Sequence, residues 1–407
     1  MNPTKNQSIV LKQICELIPR NLVSKLAKKY EVDKRCRQFS AWSHVVSMMF
    51  IQLSHAISLN DVCDTLRNHR GSLGAIRRAS APSRNGLSHA NKVRNADMAE
   101  ALFWEVLTHL QAQHPQFGKK HRYSHLPRRF KRMITIVDST TIQLVSNCMD
   151  WAKHRRRKAA AKCHLRLNLQ TFLPQFAIVK EASTHDSSEA RTLCAGIKPG
   201  EIVVFDKAYV DYDHLCDLDR RQVFWVTRAK SNMSYHAILI RSEAKSGILR
   251  DEIVRLYCPK SKDDYPHFLR LVTAEVELDG KLTTMTFLTN NLEWAPRSIC
   301  DLYKSRWAIE VFFKHLKQTL QLADFLGYSA QAVRWQVWTA LLTYVLLRFL
   351  AFMSKWTHSF TRLLTVSRGV LWSRFPLIKL LKSYGTAHGP PRLIATPSQA
   401  YLPGMTF

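Results

Sequence analysis

Between residues 302 and 320 the chain reads LYKSRWAIEVFFKHLKQTL, with no Pro or Gly. At the helical period Leu302, Ile309, Phe312, Phe313, Leu316 and Leu320 fall on one side, and Tyr303, Arg306, Glu310, Lys314 and Lys317 form a narrow stripe along the flank. One carboxylate thus sits among cations, a pattern that equally suits a surface helix whose Glu310 is braced by Arg306 and Lys314 four residues to either side. Upstream the period changes. The apolar, β-branched runs at 133–137 (MITIV) and 202–205 (IVVF) read as buried strands, and each is followed by an aspartate, Asp138 and Asp206. An Asp leaving a buried strand commonly forms a turn or caps the next helix.

The rest of the pattern divides the chain. Residues 1–120 read as helical, with a strongly apolar segment at 39–53, a capped start at Ser58, and a further helix over 96–110. Between them, 71–86 is turn-rich and carries Arg77, Arg78 and Arg84, with Arg70 just before it, so the region suits either a helix-turn-helix-like DNA reader or a packing domain. The polar, basic stretch 114–132 marks a boundary. After Asp138, runs at 140–145, 165–169 and 176–179 predict an antiparallel meander, with the basic run 154–158 as a loop or hairpin tip. A helix over 185–195, the strand before Asp206, a helix over 212–220 and a strand at 223–226 follow. If these strands are parallel, Arg228 and Lys230 lie at the same sheet end as the two aspartates, where open α/β sheets bind ligands. Residues 231–295 predict a β-rich insertion, with Asp279-Gly280 as a hairpin turn between 268–278 and 281–288. The apolar segment 332–352 raises a membrane question, but Arg334 and Arg348 interrupt it and a buried core helix is the better reading. A basic helix over 375–384 and a Gly- and Pro-rich tail close the chain.

Charge and composition narrow the function. Sixty Lys and Arg against 31 Asp and Glu give a net charge of +29, spread along the 407 residues, an electrostatic footprint for nucleic acid. No basic amphipathic terminal anchor or lipidation motif supports a membrane surface as the partner. Nine cysteines stand singly without a CxxC pair, which suggests reduced thiols in a cytoplasmic protein and gives no support to zinc. The first 20 residues lack the apolar core and cleavage site of a signal peptide. Asp138, Asp206 and Glu310, if brought together, make a hard-oxygen site of the kind that holds Mg²⁺ or Mn²⁺ for in-line phosphoryl transfer.

The spacing Tyr303, Arg306, Glu310, Lys317 resembles the Tyr-Arg-Glu-Lys signature of the DDE transposases of bacterial insertion sequences, insertion sequence family four. IVDSTTI around Asp138, VFDKAY around Asp206, WVTRAK at 225–230 and FLTNN at 287–291 are similar to the family's other blocks, in the same order. The resemblance implies an α/β fold with an RNase H-like catalytic core interrupted by a β-rich insertion, an all-helical N-terminal domain and a helical C-terminal region. The corresponding boundaries are 1–120 for a DNA-binding or accessory domain, 131–230 for the first part of the core, 231–295 for the insertion, 296–353 for the Glu-bearing helix and end of the core, and 354–407 for a basic tail.

It further implies that Asp138, Asp206 and Glu310 are catalytic and bind two Mg²⁺ ions, with Mn²⁺ as a substitute. Tyr303, Arg306, Lys314, Lys317, Arg228 and Lys230 would contact DNA, as would Lys162 and His164, which match the family's basic pair after the first Asp. The partners implied are double-stranded DNA, both terminal inverted repeats and target, with a hairpin intermediate, strand transfer and a homodimer pairing the two ends. One departure stands out: Ala208 lies where the family commonly has Gly, which matters if that position needs positive φ. A nuclease of the same core fold, or an inactive DNA-binding derivative, are the alternatives.

Overall fold

The computed structural model describes residues 8–34, 38–118, 130–144, 153–155, 158–181, 186–242, 247–278, 281–320, 327 and 329–384. The Asp279-Gly280 turn, much of the basic boundary (119–129), Arg156 and Arg157 of the basic run, and the tail from 385 lie outside the described residues. The chain is mixed α/β. It divides into two compact units, one built from residues 1–117 together with 315–407 and one from 118–314.

The first unit is helical. Its longest element, Ala330–Ser354, is 25 residues long and is capped by Ser329, whose Oγ accepts from the Ala332 amide at 3.2 Å. By length and composition this helix is able to cross a bilayer, yet most of it is buried here. It packs against helices Ala41–Ser54, Arg84–Val93 and Asp97–Gln113, which explains its all-round apolarity. Within it Thr339 and Thr343 satisfy their hydroxyls on the carbonyls one turn back, at 2.7 and 2.8 Å.

His44, wholly buried in helix Ala41–Ser54, contacts Asn91 through Nε2 at 2.7 Å and lies against Trp335 with ring centroids 4.5 Å apart. Burial, with Arg94 adding to it, lowers its pKa from 6.5 to about 3. A depressed histidine pKa stabilises the fold fully above 6.5, and that contribution is lost as pH falls toward about 3. His44→Gln, which takes up no proton, is therefore expected to flatten the acid limb of the unit's stability curve, read by helical circular dichroism against pH. Identical acid limbs for the two proteins would count against this assignment.

The second unit is organised on a sheet of ten strands: β1 (Ile134–Leu144), β2 (Lys153–Arg155), β3 (Lys158–Asn168), β4 (Leu173–Glu181), β5 (Ile202–Phe205), β6 (Phe224–Arg228), β7 (Tyr235–Ser242), β8 (Ile248–Leu256), β9 (Leu269–Leu278) and β10 (Lys281–Thr289). The order is β2-β3-β1-β5-β6-β10-β9-β8-β7, with β4 also on β3. β1, β5 and β6 are mutually parallel, and the other pairings are antiparallel. Helices Asp186–Cys194 and Tyr212–Arg220 make the connections that parallel neighbours require. Arg221 closes the first of these connections: its Nη2 donates to the carbonyls of Cys194, Ala195 and Ile197 at 3.1, 3.1 and 2.8 Å, satisfying the helix's orphan acceptors.

Two expectations need correction. Asp138 does not leave a strand but sits inside β1, because the predicted runs 133–137 and 140–145 fuse. On one side β3 pairs with β1 without interruption from Thr135↔Asn168 to Leu144↔Ala159, and on the other β5 stops opposite Val137. Asp138 is thus the first residue past the end of its parallel neighbour. The second correction concerns the segment 302–320, which is not one regular helix. Pro296–Ser305 ends at Arg306, where the bonds Arg306 N–H to Tyr303 O and Ile309 N–H to Arg306 O span three residues, both at 3.0 Å. Trp307–Lys314 follows as an α-helix, and His315–Thr319 is a π-turn. In β7–β10 the residues 231–295 do form strands, and they extend the same sheet through Phe287↔Arg228.

Candidate active site

Strand register gathers the site. Ile136 lies opposite Val204 in the β1–β5 pair, and Val204 lies opposite Val226 in the β5–β6 pair. Two residues further along each strand, on the same face, come Asp138, Asp206 and Arg228. Both carboxylates and one cation therefore line up across the three strands where the parallel pairing of β1, β5 and β6 ends, Asp138 lying inside β1.

The broken helical segment packs on these strands. Tyr303 Oη donates to Asp206 Oδ1 at 3.1 Å. Arg306 donates from Nη1 to Asp138 Oδ2 at 2.8 Å and from Nη2 to Glu310 Oε1 at 2.7 Å. The tight turn at Arg306 is what lets one guanidinium reach back to β1 and forward to the next helical turn. Asp138 and Arg306 are 15% and 13% exposed, whereas Glu310 is 39% exposed, so the site opens to solvent on the Glu310 side.

Burial raises the pKa of Asp138 from 3.8 to about 6. Arg306 and the Ser139 amide, which donates to Oδ1 at 2.8 Å, oppose the rise, while the charges of Asp206 and Glu310 add to it. Burial likewise pushes the Tyr303 phenol up to about 12, helped by Asp206. For Arg306 burial acts downward, but Asp138, Tyr303 and Glu310 outweigh it and hold the pKa above its ordinary value. Its Nε is buried and unbonded among the described residues.

Other residues singled out in the sequence are placed differently. Lys314, one turn beyond Glu310, is exposed. Lys230 donates its Nζ to the Val210 carbonyl at 2.9 Å. Lys162 and His164 pair in register with Thr141 and Ser139, so strand alternation puts them on the sheet face opposite Asp138. His164 is fully buried there, with Nδ1 3.1 Å from Tyr209 Oη. Lys317 falls in the helical unit. Ala208, in the 3₁₀ turn Lys207–Tyr209, is not among the positive-φ residues, so its Cβ costs nothing. The Ser139 amide was not legible in the sequence, since every non-proline residue carries an N–H.

Among the described residues no three His, Cys, Asp or Glu side chains stand close enough to hold an ion, because Arg306 occupies the space between Asp138 and Glu310. The donor chemistry nonetheless fits a hard divalent cation: three carboxylates, with no thiolate or imidazole among them.

Residues 129–346 match the family described as Transposase DDE domain, and residues 6–76 match a domain of unknown function, DUF4372. A putative transposase, y4zB, of Sinorhizobium fredii is 33% identical over 58% of this chain and 65% of its own. A probable transposase for insertion sequence element IS5377 of Geobacillus stearothermophilus is 27% identical over 57% of this chain and 60% of its own. The chain thus matches less than two thirds of either relative's length. Among solved structures, a piggyBac transposase synaptic complex with hairpin DNA aligns over 92% of this chain and 82% of its own, at 8% identity and a TM-score of 0.48.

Proposed function

Because this chain belongs to the DDE transposase family, we propose that it is a DNA transposase that cuts an insertion sequence at its terminal inverted repeats and joins the freed ends to target DNA. The observation that carries the reading is the gathering of Asp138, Asp206 and Glu310 on one sheet face by two side chains, Arg306 and Tyr303. The strand order β3-β1-β5-β6, with β1 between antiparallel β3 and parallel β5 and with β5 and β6 each preceded by a helix, supports an RNase H-like core in which β7–β10 are the insertion.

In this reading Asp138, Asp206 and Glu310 hold Mg²⁺, or Mn²⁺ in its place. When bound, the metal supplies Lewis-acid stabilisation of charge on the reacting phosphoryl oxygens. Arg306 keeps Asp138 and Glu310 paired. Tyr303 orients Asp206 and, with its pKa held high, remains a neutral donor. Arg228, Lys230, Lys314 and Lys317 supply positive charge for the DNA backbone. Lys162 and His164, on the other face, have no part in it. The active species is a homodimer pairing the two ends.

The test is cleavage and joining of a duplex carrying the gene's own flanking inverted repeats in Mg²⁺, compared with Glu310→Gln. The natural protein is expected to cut and join, and the variant to bind equally well while cutting at least about a hundredfold more slowly. Cutting without joined products would identify a nuclease. Binding without cutting in either Mg²⁺ or Mn²⁺ would overturn the proposal in favour of an inactive derivative.

A further inference from the structure

The strand ladder does not itself tie the two aspartates of the site together. The β1–β5 pairing runs from Ile134↔Ile202 to Val137↔Phe205 and stops one residue before Asp138 and Asp206. Past that point β1 continues against β3, whereas the chain after Asp206 enters the 3₁₀ turn Lys207–Tyr209. The spacing of the two carboxylates therefore depends on what holds this turn.

Two backbone bonds shape the turn, from the Tyr209 amide to the Asp206 carbonyl at 3.0 Å and from the Val210 amide to the Lys207 carbonyl at 3.2 Å. Side chains anchor it on both flanks. Toward β6, Lys230 Nζ donates to the Val210 carbonyl at 2.9 Å. Toward β1 and β3, Tyr209, 1% exposed, lies in a core cluster with Val137 and Phe205, on the sheet face opposite the carboxylates. Its Oη reaches His164 Nδ1 at 3.1 Å, with the two rings edge to face at 88°. His164 is 0% exposed, and its register partner in β1 is Ser139, whose amide donates to Asp138. One contact thus links the backbone just after Asp206 to the strand beside the backbone just after Asp138.

Buried as they are, the phenol and the imidazole touch neither solvent nor substrate, so their effect is on geometry. A cation shared by two carboxylates needs their oxygens at a set separation, and groups outside the ligand set commonly fix it. We propose that Tyr209 and His164 are positioning residues for the carboxylate site, their contact setting the distance of Asp206 from Asp138 for a shared divalent cation. The assignment rests on the reading of these carboxylates as metal ligands and extends it to two residues on the far face of the sheet.

Mn²⁺ uptake by the full-length protein without DNA, followed by loss of the free ion's electron paramagnetic resonance signal well below the unfolding temperature, tests it. Tyr209→Phe keeps the ring and removes only the hydroxyl, and is expected to raise the Mn²⁺ dissociation constant roughly three- to tenfold. His164→Asn removes more volume but offers an amide in place of Nδ1, and is expected to stay within about twofold of the natural protein. A role confined to core packing predicts the reverse order, since the larger volume loss would do the greater harm. In an Asp206→Asn background Tyr209→Phe should change Mn²⁺ uptake no further. In cleavage, Tyr209→Phe should raise the Mg²⁺ needed for half-maximal rate while sparing the rate at saturating Mg²⁺. If Asp206→Asn weakens Mn²⁺ uptake and Tyr209→Phe leaves it unchanged, the positioning role is overturned and the metal-site reading stands. If the natural protein and Asp206→Asn take up Mn²⁺ alike, both fail.

Discussion

Asp138→Asn is expected to reduce strand cleavage by on the order of 10⁴-fold, the largest loss from any single change in the site. Asp138 is the more buried of the two carboxylates that pair with Arg306, and it carries both the Ser139 and the Arg306 contacts. The same substitution is expected to spare stability in metal-free solution. The folded-state pKa of Asp138, about 6, lies above its ordinary 3.8. Its stabilising contribution is therefore complete below about 3.8 and lost as pH rises through about 6, after which a charge is buried against its preference. Asparagine cannot ionise, so in EDTA the variant should gain on the natural protein as pH rises across that window, reduced by the weakened hold on Arg306. Melting temperatures at pH 4.5 and 7.5 for both proteins test this. Parallel curves would show that Asp138 keeps an ordinary pKa in the fold.

Arg270→Met is expected to lower the stability of the sheet unit by about 3–5 kcal/mol. Arg270 in β9 donates from Nε and Nη2 to the two oxygens of Asp251 in β8, at 2.7 and 2.8 Å. Their side chains are 2% and 4% exposed, and Arg270 Nη1 also donates to the Trp294 carbonyl at 2.5 Å. Removing the cation alone leaves the buried Asp251 carboxylate and the partly buried Trp294 carbonyl without this donor. The double change Asp251→Leu with Arg270→Met removes both charges and is expected to recover most of the loss, since a buried ion pair is often no more stabilising than well-packed apolar side chains. Urea unfolding of the three proteins decides it, and a double variant as unstable as Arg270→Met would refute the pairing argument.

Much of the site was readable because its cues are local. The IVVF run before Asp206 and the four-residue spacing of Arg306 and Glu310 each lie within a few residues, and the structure realises both as strand end and ion pair. What was not readable is register. The fusion of two runs into β1, which put Asp138 mid-strand, depends on β3 supplying a partner along the whole length. The same pairing turns Lys162 and His164 away from Asp138, and a shift of one residue would have reversed that outcome. The β-rich segment was visible by composition, but its attachment through β10 to β6 is a contact between residues about 60 apart in sequence, beyond any local period. Likewise nothing in LYKSRWAIE announces the tight turn at Arg306, because the segment holds neither Gly nor Pro, the residues that strongly break a helix.

The division of the chain also sets an order of assembly. The sheet unit is one uninterrupted stretch, residues 118–314, and has everything it needs once that stretch has left the ribosome. The helical unit is assembled from both ends of the chain, so helices Ala41–Ser54, Arg84–Val93 and Asp97–Gln113 are synthesised early with their apolar faces lacking the helix that covers them. That helix, Ala330–Ser354, arrives only after the whole sheet unit has been made. A folded insert shortens the effective loop to be closed, and each halving of loop length lowers the closure cost by about 0.6 kcal/mol. A chain cut short before residue 330 would leave the apolar faces of the first hundred residues exposed to aggregation.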